Sequence, residues 1–191
     1  MSLVMDIGTG AGLAGSVGVR PFLPPLLTGA LARGDIGIDF SGTDWSFLES
    51  SAFLFAILVL AVVWYMAERS GANRSLMARA GLLLSVTLGA LLFAGSVAAG
   101  GHSGIPGLVA GVACAALAYL AVFSLLTRAA RRLDGEAGFL TIYADAAALV
   151  LAAVAIFLPP VSFLALIAFA LVLVRGRAAA DRKYAGLRIL R

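Results

Sequence analysis

Ile105 to Thr127 reads IPGLVAGVACAALAYLAVFSLLT, a run without one charged side chain. At 1.5 Å per helical residue such a run covers about 35 Å, enough to cross the roughly 30 Å hydrocarbon core of a bilayer. Five further apolar stretches flank it: Ile7–Ala32, Phe47–Ala67, Ala80–Ala99, Phe139–Leu158 and Val161–Val174. The first is long and interrupted by prolines, and the last is short enough to need flanking residues or a thinned bilayer. The fold expected is an all-α polytopic transmembrane bundle of six segments, the first proline-broken or re-entrant. Residues 1–191 form one transmembrane domain, with 175–191 a basic cytoplasmic tail.

Composition points the same way. Hydrophobic residues make up 62% of the 191 and charged residues 13%, against about 45–50% and 25% in soluble domains. The formal charge of +4 does not indicate nucleic acid, because 6 of the 14 basic residues fall in the last 17 positions, beside an apolar segment. Arg69, Arg74 and Arg79 occupy one connection, Arg128, Arg131 and Arg132 another, and the rest of this set the tail. Twelve of 14 basic residues therefore lie on alternate connections, which is the positive-inside pattern for six spans with both termini inside. A re-entrant hairpin over Ile7–Ala32 would instead put the N-terminus outside and leave five full spans. Met1 to Asp6 has no basic n-region, so the N-terminus is expected to be retained. The bias to Arg over Lys is a bacterial compositional hint, and the location expected is a bacterial inner membrane.

Reactive side chains are few. One histidine (His102), one cysteine (Cys114), one lysine (Lys183) and one asparagine (Asn73) give no metal cluster and no catalytic toolkit. No enzyme activity, cofactor or metal is expected. Gly10, Gly12 and Gly15 match the G-x-G-x-x-G pattern, but Pro21, Pro24 and Pro25 would break the helix a dinucleotide site requires. Close packing of transmembrane backbones accounts for them better. Gly8 and Gly12, Gly81, Ser85 and Gly89, and Gly107 and Gly111 all have the small-xxx-small spacing.

Two charges stand out within apolar stretches. Arg20 lies midway through the first, in Gly18-Val19-Arg20-Pro21-Phe22-Leu23-Pro24-Pro25, where the prolines break the helix. An arginine at membrane depth costs at least about 2.5 kcal/mol, so it pairs, serves a function or snorkels to an interface. Asp145, seven residues into the fifth stretch, is its natural counterpart, as an ion pair or as a proton-binding site, unless it lies close enough to the inner surface to reach water and need no partner. Ser46-x-x-Glu49 reads as a capping box opening the second helix. Trp45, Trp64 and Tyr65 read as interfacial anchors, and His102 as a solvated loop residue. Tyr184, Leu187, Ile189 and Leu190, interleaved with the basic tail, suit a short helix on anionic lipid. Phe22-Leu-Pro-Pro and Phe157-Leu-Pro-Pro repeat one string, but not at equivalent places in two halves.

The runs Gly18-Val19-Arg20-Pro21-Phe22-Leu23-Pro24 and Lys183-Tyr184-Ala185-Gly186-Leu187-Arg188 resemble an uncharacterised bacterial membrane family, domain-of-unknown-function family 4126. The resemblance implies membrane location and no known activity. The leading expectation from the residues is a small transporter or flippase-like carrier, with Arg20 meeting the anionic group of a small molecule or lipid head group. The alternative is a non-transporting scaffold or assembly partner whose small-residue faces bind other helices, and a homo-oligomer is a further partner to expect. The lipid bilayer is the partner common to both.

Overall fold

The computed structural model of the chain describes residues 2–71, 73–130 and 137–185. Among them are seven α-helices, one 3-10 turn and no strand: α1 (Leu3–Val19), α2 (Leu23–Arg33), the 3-10 turn (Ser46–Glu49), α3 (Ser51–Arg69), α4 (Arg74–Ala99), α5 (Ile105–Ala130), α6 (Ala137–Phe157) and α7 (Pro159–Ala185). Helices α3 to α7 are each long and apolar enough to cross a membrane. The protein is an all-α integral membrane bundle.

Helix α1 is its axis. Every residue from Gly8 to Val19 is buried, with α4, α5, α6 and α7 packed around it. Its five glycines make this possible, because a side chain at most of them would collide with a neighbour. A Cβ on Gly18 would lie 2.5 Å from the carbonyl oxygen of Ala115, and one on Gly8 2.8 Å from that of Pro159. The apparent dinucleotide motif is thus the packing surface of a central helix. The α4–α5 crossing obeys the same rule: a Cβ on Gly89 would lie 2.6 Å from that of Ala115, and one on Gly111 2.6 Å from the Ala90 Cα. Helix α3, by contrast, is peripheral, touching mainly α2 and the 3-10 turn.

The first stretch is a hairpin of two helices. Pro21 disfavours helical geometry in the residue before it, and Arg20 is accordingly extended, at φ −147° and ψ 121°. Pro24 and Pro25 do not break a helix. They lie in the first turn of α2, where their missing N–H groups would have no helical partner. Pro159 and Pro160 open α7 in the same way after Phe157, so the repeated Phe-Leu-Pro-Pro string marks two helix junctions. These junctions sit at opposite ends of the bundle.

The start of α1 lies beside the α4–α5 loop, with Asp6 Oδ2 3.8 Å from His102 Nδ1. The break lies beside the end of α3, where Arg20 Nη1 is 3.2 Å from Glu68 Oε1. Helix α2 returns toward Ser51, whose hydroxyl bonds the Arg33 guanidinium. At 11 residues, or about 16 Å, α2 stops short of a full crossing. The beginning of α1 and the far end of α7 are therefore at opposite ends, which corrects the six-span layout with both termini on one side.

Two boundaries also differ from expectation. Ser46 and Glu49 belong to the 3-10 turn, and the cap of α3 is Ser50, whose hydroxyl accepts the Phe53 N–H at 3.2 Å. Glu49 instead accepts the Phe40 N–H, closing the 34–50 connection on itself. Residues 175–185 continue α7 without interruption, so over this length the tail is no separate surface helix. Arg131, Arg132, Leu187, Arg188, Ile189 and Leu190 lie outside the described residues.

Candidate functional site

Arg20 sits at the C-cap of α1, at the end of the bundle and not at its middle. Its guanidinium reaches two helices. Nε lies 2.7 Å from Asp145 Oδ1 on α6, and Nη1 3.2 Å from Glu68 Oε1 on α3. The side chain is only 13% exposed, Asp145 21% and Glu68 33%. The Nε–H is not aimed at Oδ1, so this contact is a charge pair, while Nη1 donates a proper hydrogen bond to Glu68.

Two aromatic residues of α3 complete the cluster. The Tyr65 hydroxyl donates to Asp145 Oδ2 at 2.9 Å, and its ring lies under the guanidinium, 5.9 Å from Arg20 Cζ. The Trp64 indole N–H donates to Glu68 Oε1 at 3.0 Å. Phe22, in the break, packs on Trp64 with ring centroids 5.6 Å apart. Helices α3 and α6 hardly approach each other by backbone, so Arg20, Tyr65 and Asp145 are the bridge between them.

The expected Arg20–Asp145 pairing is present. Glu68 was not anticipated, since a carboxylate next to Arg69 at a helix end reads as solvated. The usable signal was the i, i+4 spacing of Trp64 and Glu68, which puts an indole donor beside that carboxylate. Trp64 and Tyr65, expected as interfacial anchors, are half-buried and bonded to this cluster.

The charge balance is one guanidinium against two carboxylates. The C-terminal carbonyls of α1 add a negative dipole end at the same place. Helix α2 supplies little to oppose it, because Pro24 and Pro25 carry no N–H. A cation or proton fits this arrangement better than the anion expected from Arg20 alone.

The opposite end holds a second group of interest. Asp6 is 4% exposed, its backbone carbonyl accepts the Ser96 hydroxyl at 3.0 Å, and its Oδ2 has no hydrogen-bond partner among the described residues. His102 above it is an exposed loop residue whose Nδ1 approaches Oδ2 to 3.8 Å. A half-open surface depression of about 340 Å³ lies at this end, with Met5, Thr9, Gly37, Ile156, Phe157 and Pro159 in its wall. Phe157 and Met5 are exposed at its rim. No group of three or more His, Cys, Asp or Glu side chains placed to hold a metal occurs among the described residues.

Comparison with curated proteins and with solved structures finds no match. A family model matches residues 7–178, from α1 well into α7. The chain belongs to the family described as Domain of unknown function (DUF4126).

Proposed function

We propose that this protein is a small membrane carrier in which the Arg20–Glu68–Asp145 cluster is the ionic gate of one end. The observation that carries the reading is the convergence of three charged side chains, from the break, α3 and α6, on one end of an otherwise apolar bundle. The surface depression at the other end supports it as a place for substrate entry opposite the charge-locked end.

The excess carboxylate favours a cationic or proton-coupled substrate, amphiphilic in view of the apolar wall of the depression. Free anions would have to displace Glu68 or Asp145 from Arg20. The basic residues of the 69–79 connection and the α7 end support a cytoplasmic position for the Arg20 end, in a bacterial inner membrane. No catalysis is assigned.

Thiol labelling tests the gate without knowing the substrate. In a Cys114→Ala background, Ser16→Cys places a thiol one turn inside Arg20, at a fully buried position. A membrane-impermeant thiol reagent added at the Arg20 end should label it slowly. Glu68→Gln with Asp145→Asn should raise the rate several-fold. An unchanged rate would reduce the cluster to a structural staple and favour the assembly-partner reading.

A further inference from the structure

Helix α1 has three polar side chains besides its backbone: Asp6, Thr9 and Ser16. Together with Leu13 and the C-cap Arg20 they follow at spacings of three, four, three and four residues. At 100° per residue this is one stripe on one face, running the length of the helix. The other faces carry glycine, alanine, valine and other apolar residues. All five stripe residues are enclosed: Asp6 is 4%, Thr9 8%, Leu13 0% and Ser16 0% exposed, and Arg20 is the nearly buried centre of the gate.

A polar stripe inside a membrane bundle has a desolvation cost that apolar residues would avoid. The Thr9 and Ser16 hydroxyls donate to their own helix, to the carbonyls of Met5 and Leu13, which leaves their oxygen lone pairs free to accept. Asp6 Oδ2 has no partner among the described residues. Leu13 is the one apolar member, and it belongs to the apolar cluster that includes Leu88, Leu92 and Ala152. The buried Asp6 Oδ2 without a partner among the described residues calls for an explanation in water or an ion. A proton is the ion that needs no cage of ligands.

We infer that this face of α1 is a proton path from Asp6 to Asp145, with Leu13 as its apolar plug. The inference deepens the carrier reading, on which it rests, by naming the proton as the coupling ion. A hydronium at the His102 end gives its proton to the Asp6 carboxylate. The proton then passes to Thr9 and Ser16, each hydroxyl accepting one proton and donating its own. It ends on Asp145, which releases it to water as the Arg20 pair re-forms. Thr9 and Ser16 are about 10 Å apart along the axis, so the middle step needs water, admitted when Leu13 turns aside.

The test is proton flux. The full-length protein is reconstituted in vesicles of phosphatidylcholine and phosphatidylglycerol holding a pH-sensitive dye, and a pH gradient is imposed with potassium and valinomycin clamping the potential. Wild-type flux is expected above that of protein-free vesicles, and Asp6→Asn is expected to return it to that level. Leu13→Asn, near Leu in size but polar, should raise flux several-fold over wild type, with no sodium flux in a sodium-dye assay. Ala11→Ser, a buried serine on the opposite face, should not raise it. Wild-type flux at the protein-free level, with no rise in Leu13→Asn or the milder Leu13→Thr, overturns the path. So does Asp6→Asn that leaves the flux unchanged. Should neither Leu13 variant fold, the wild-type flux decides. Faster Ser16→Cys labelling after the gate is opened, with no proton flux, leaves a carrier that moves something other than protons, so the two failures are distinct.

Discussion

Arg20 Nε lies 2.7 Å from Asp145 Oδ1, fastening the break after α1 to a helix encoded more than a hundred residues later. The same guanidinium holds Glu68 through Nη1. Removing it leaves two partly buried carboxylates without their cation. Arg20→Ala should therefore cost about 2–3 kcal/mol, somewhat less than breaking a fully buried pair. Arg20→Lys should recover only part, because one ammonium cannot serve both helices with the reach of a planar fork. Unfolding in detergent checks this. Arg20→Ala and Asp145→Asn should also be non-additive by about 1 kcal/mol or more. Strict additivity, with Lys equal to Arg, would leave Arg20 as a snorkelling surface charge.

Glycines of α1 differ in what surrounds them, and that gives a paired test. A Cβ on Gly12 would lie 2.5 Å from the Ala155 Cβ, whereas on Gly15 its nearest neighbours, in Leu166 and Phe169, are at 3.6 Å. Gly12→Ala should destabilise by about 1–3 kcal/mol through overpacking. Gly15→Ala should leave stability unchanged or raise it, since alanine favours helix over glycine. Equal thermal stabilities for the two variants would mean that α1 is not gripped as tightly as its neighbours indicate.

Much of this was legible before any coordinates. Apolar runs identify α3 to α7, and two charges within apolar stretches mark Arg20 and Asp145 as candidates for a pair. The central position of α1 was not legible. Its glycines announce close packing but not packing on every side, which depends on four helices that arrive later in the chain. Glu68 was hidden for a related reason. At a helix end beside Arg69 it reads as solvated, and only the fold turns it toward Arg20. Ser46 to Glu49 matched a cap by residue type, yet the helix starts at Ser51, where Ser50 offers the same chemistry one turn on.

That last case is measurable. Ser50→Ala removes the acceptor of the Phe53 N–H and should cost about 1 kcal/mol, the usual value of an N-cap. The Ser46 hydroxyl makes no hydrogen bond among the described residues, so Ser46→Ala should stay within about 0.5 kcal/mol of wild type. Chemical unfolding of the two variants separates the capping assignments, and the reverse order would restore Ser46 as the cap.

The hairpin of α1 and α2 makes a topological prediction that differs from a simple six-span count. Asp6 and His102 are neighbours, so Ser2 and Ser103 must share one face of the membrane. Ser70, at the end of α3 next to the Arg20 cluster, must face the other. Single cysteines at these exposed positions, in a Cys114→Ala background, can be labelled with an impermeant reagent in sealed vesicles. Ser2→Cys and Ser103→Cys should react from one side and Ser70→Cys from the opposite side. By the distribution of basic residues, Ser70 should face the cytoplasm. If Ser2→Cys labels together with Ser70→Cys, the first stretch crosses the membrane an odd number of times. Arg20 would then lie at membrane depth, no longer beside Glu68, and the gate at the end of α1 would lose its physical basis.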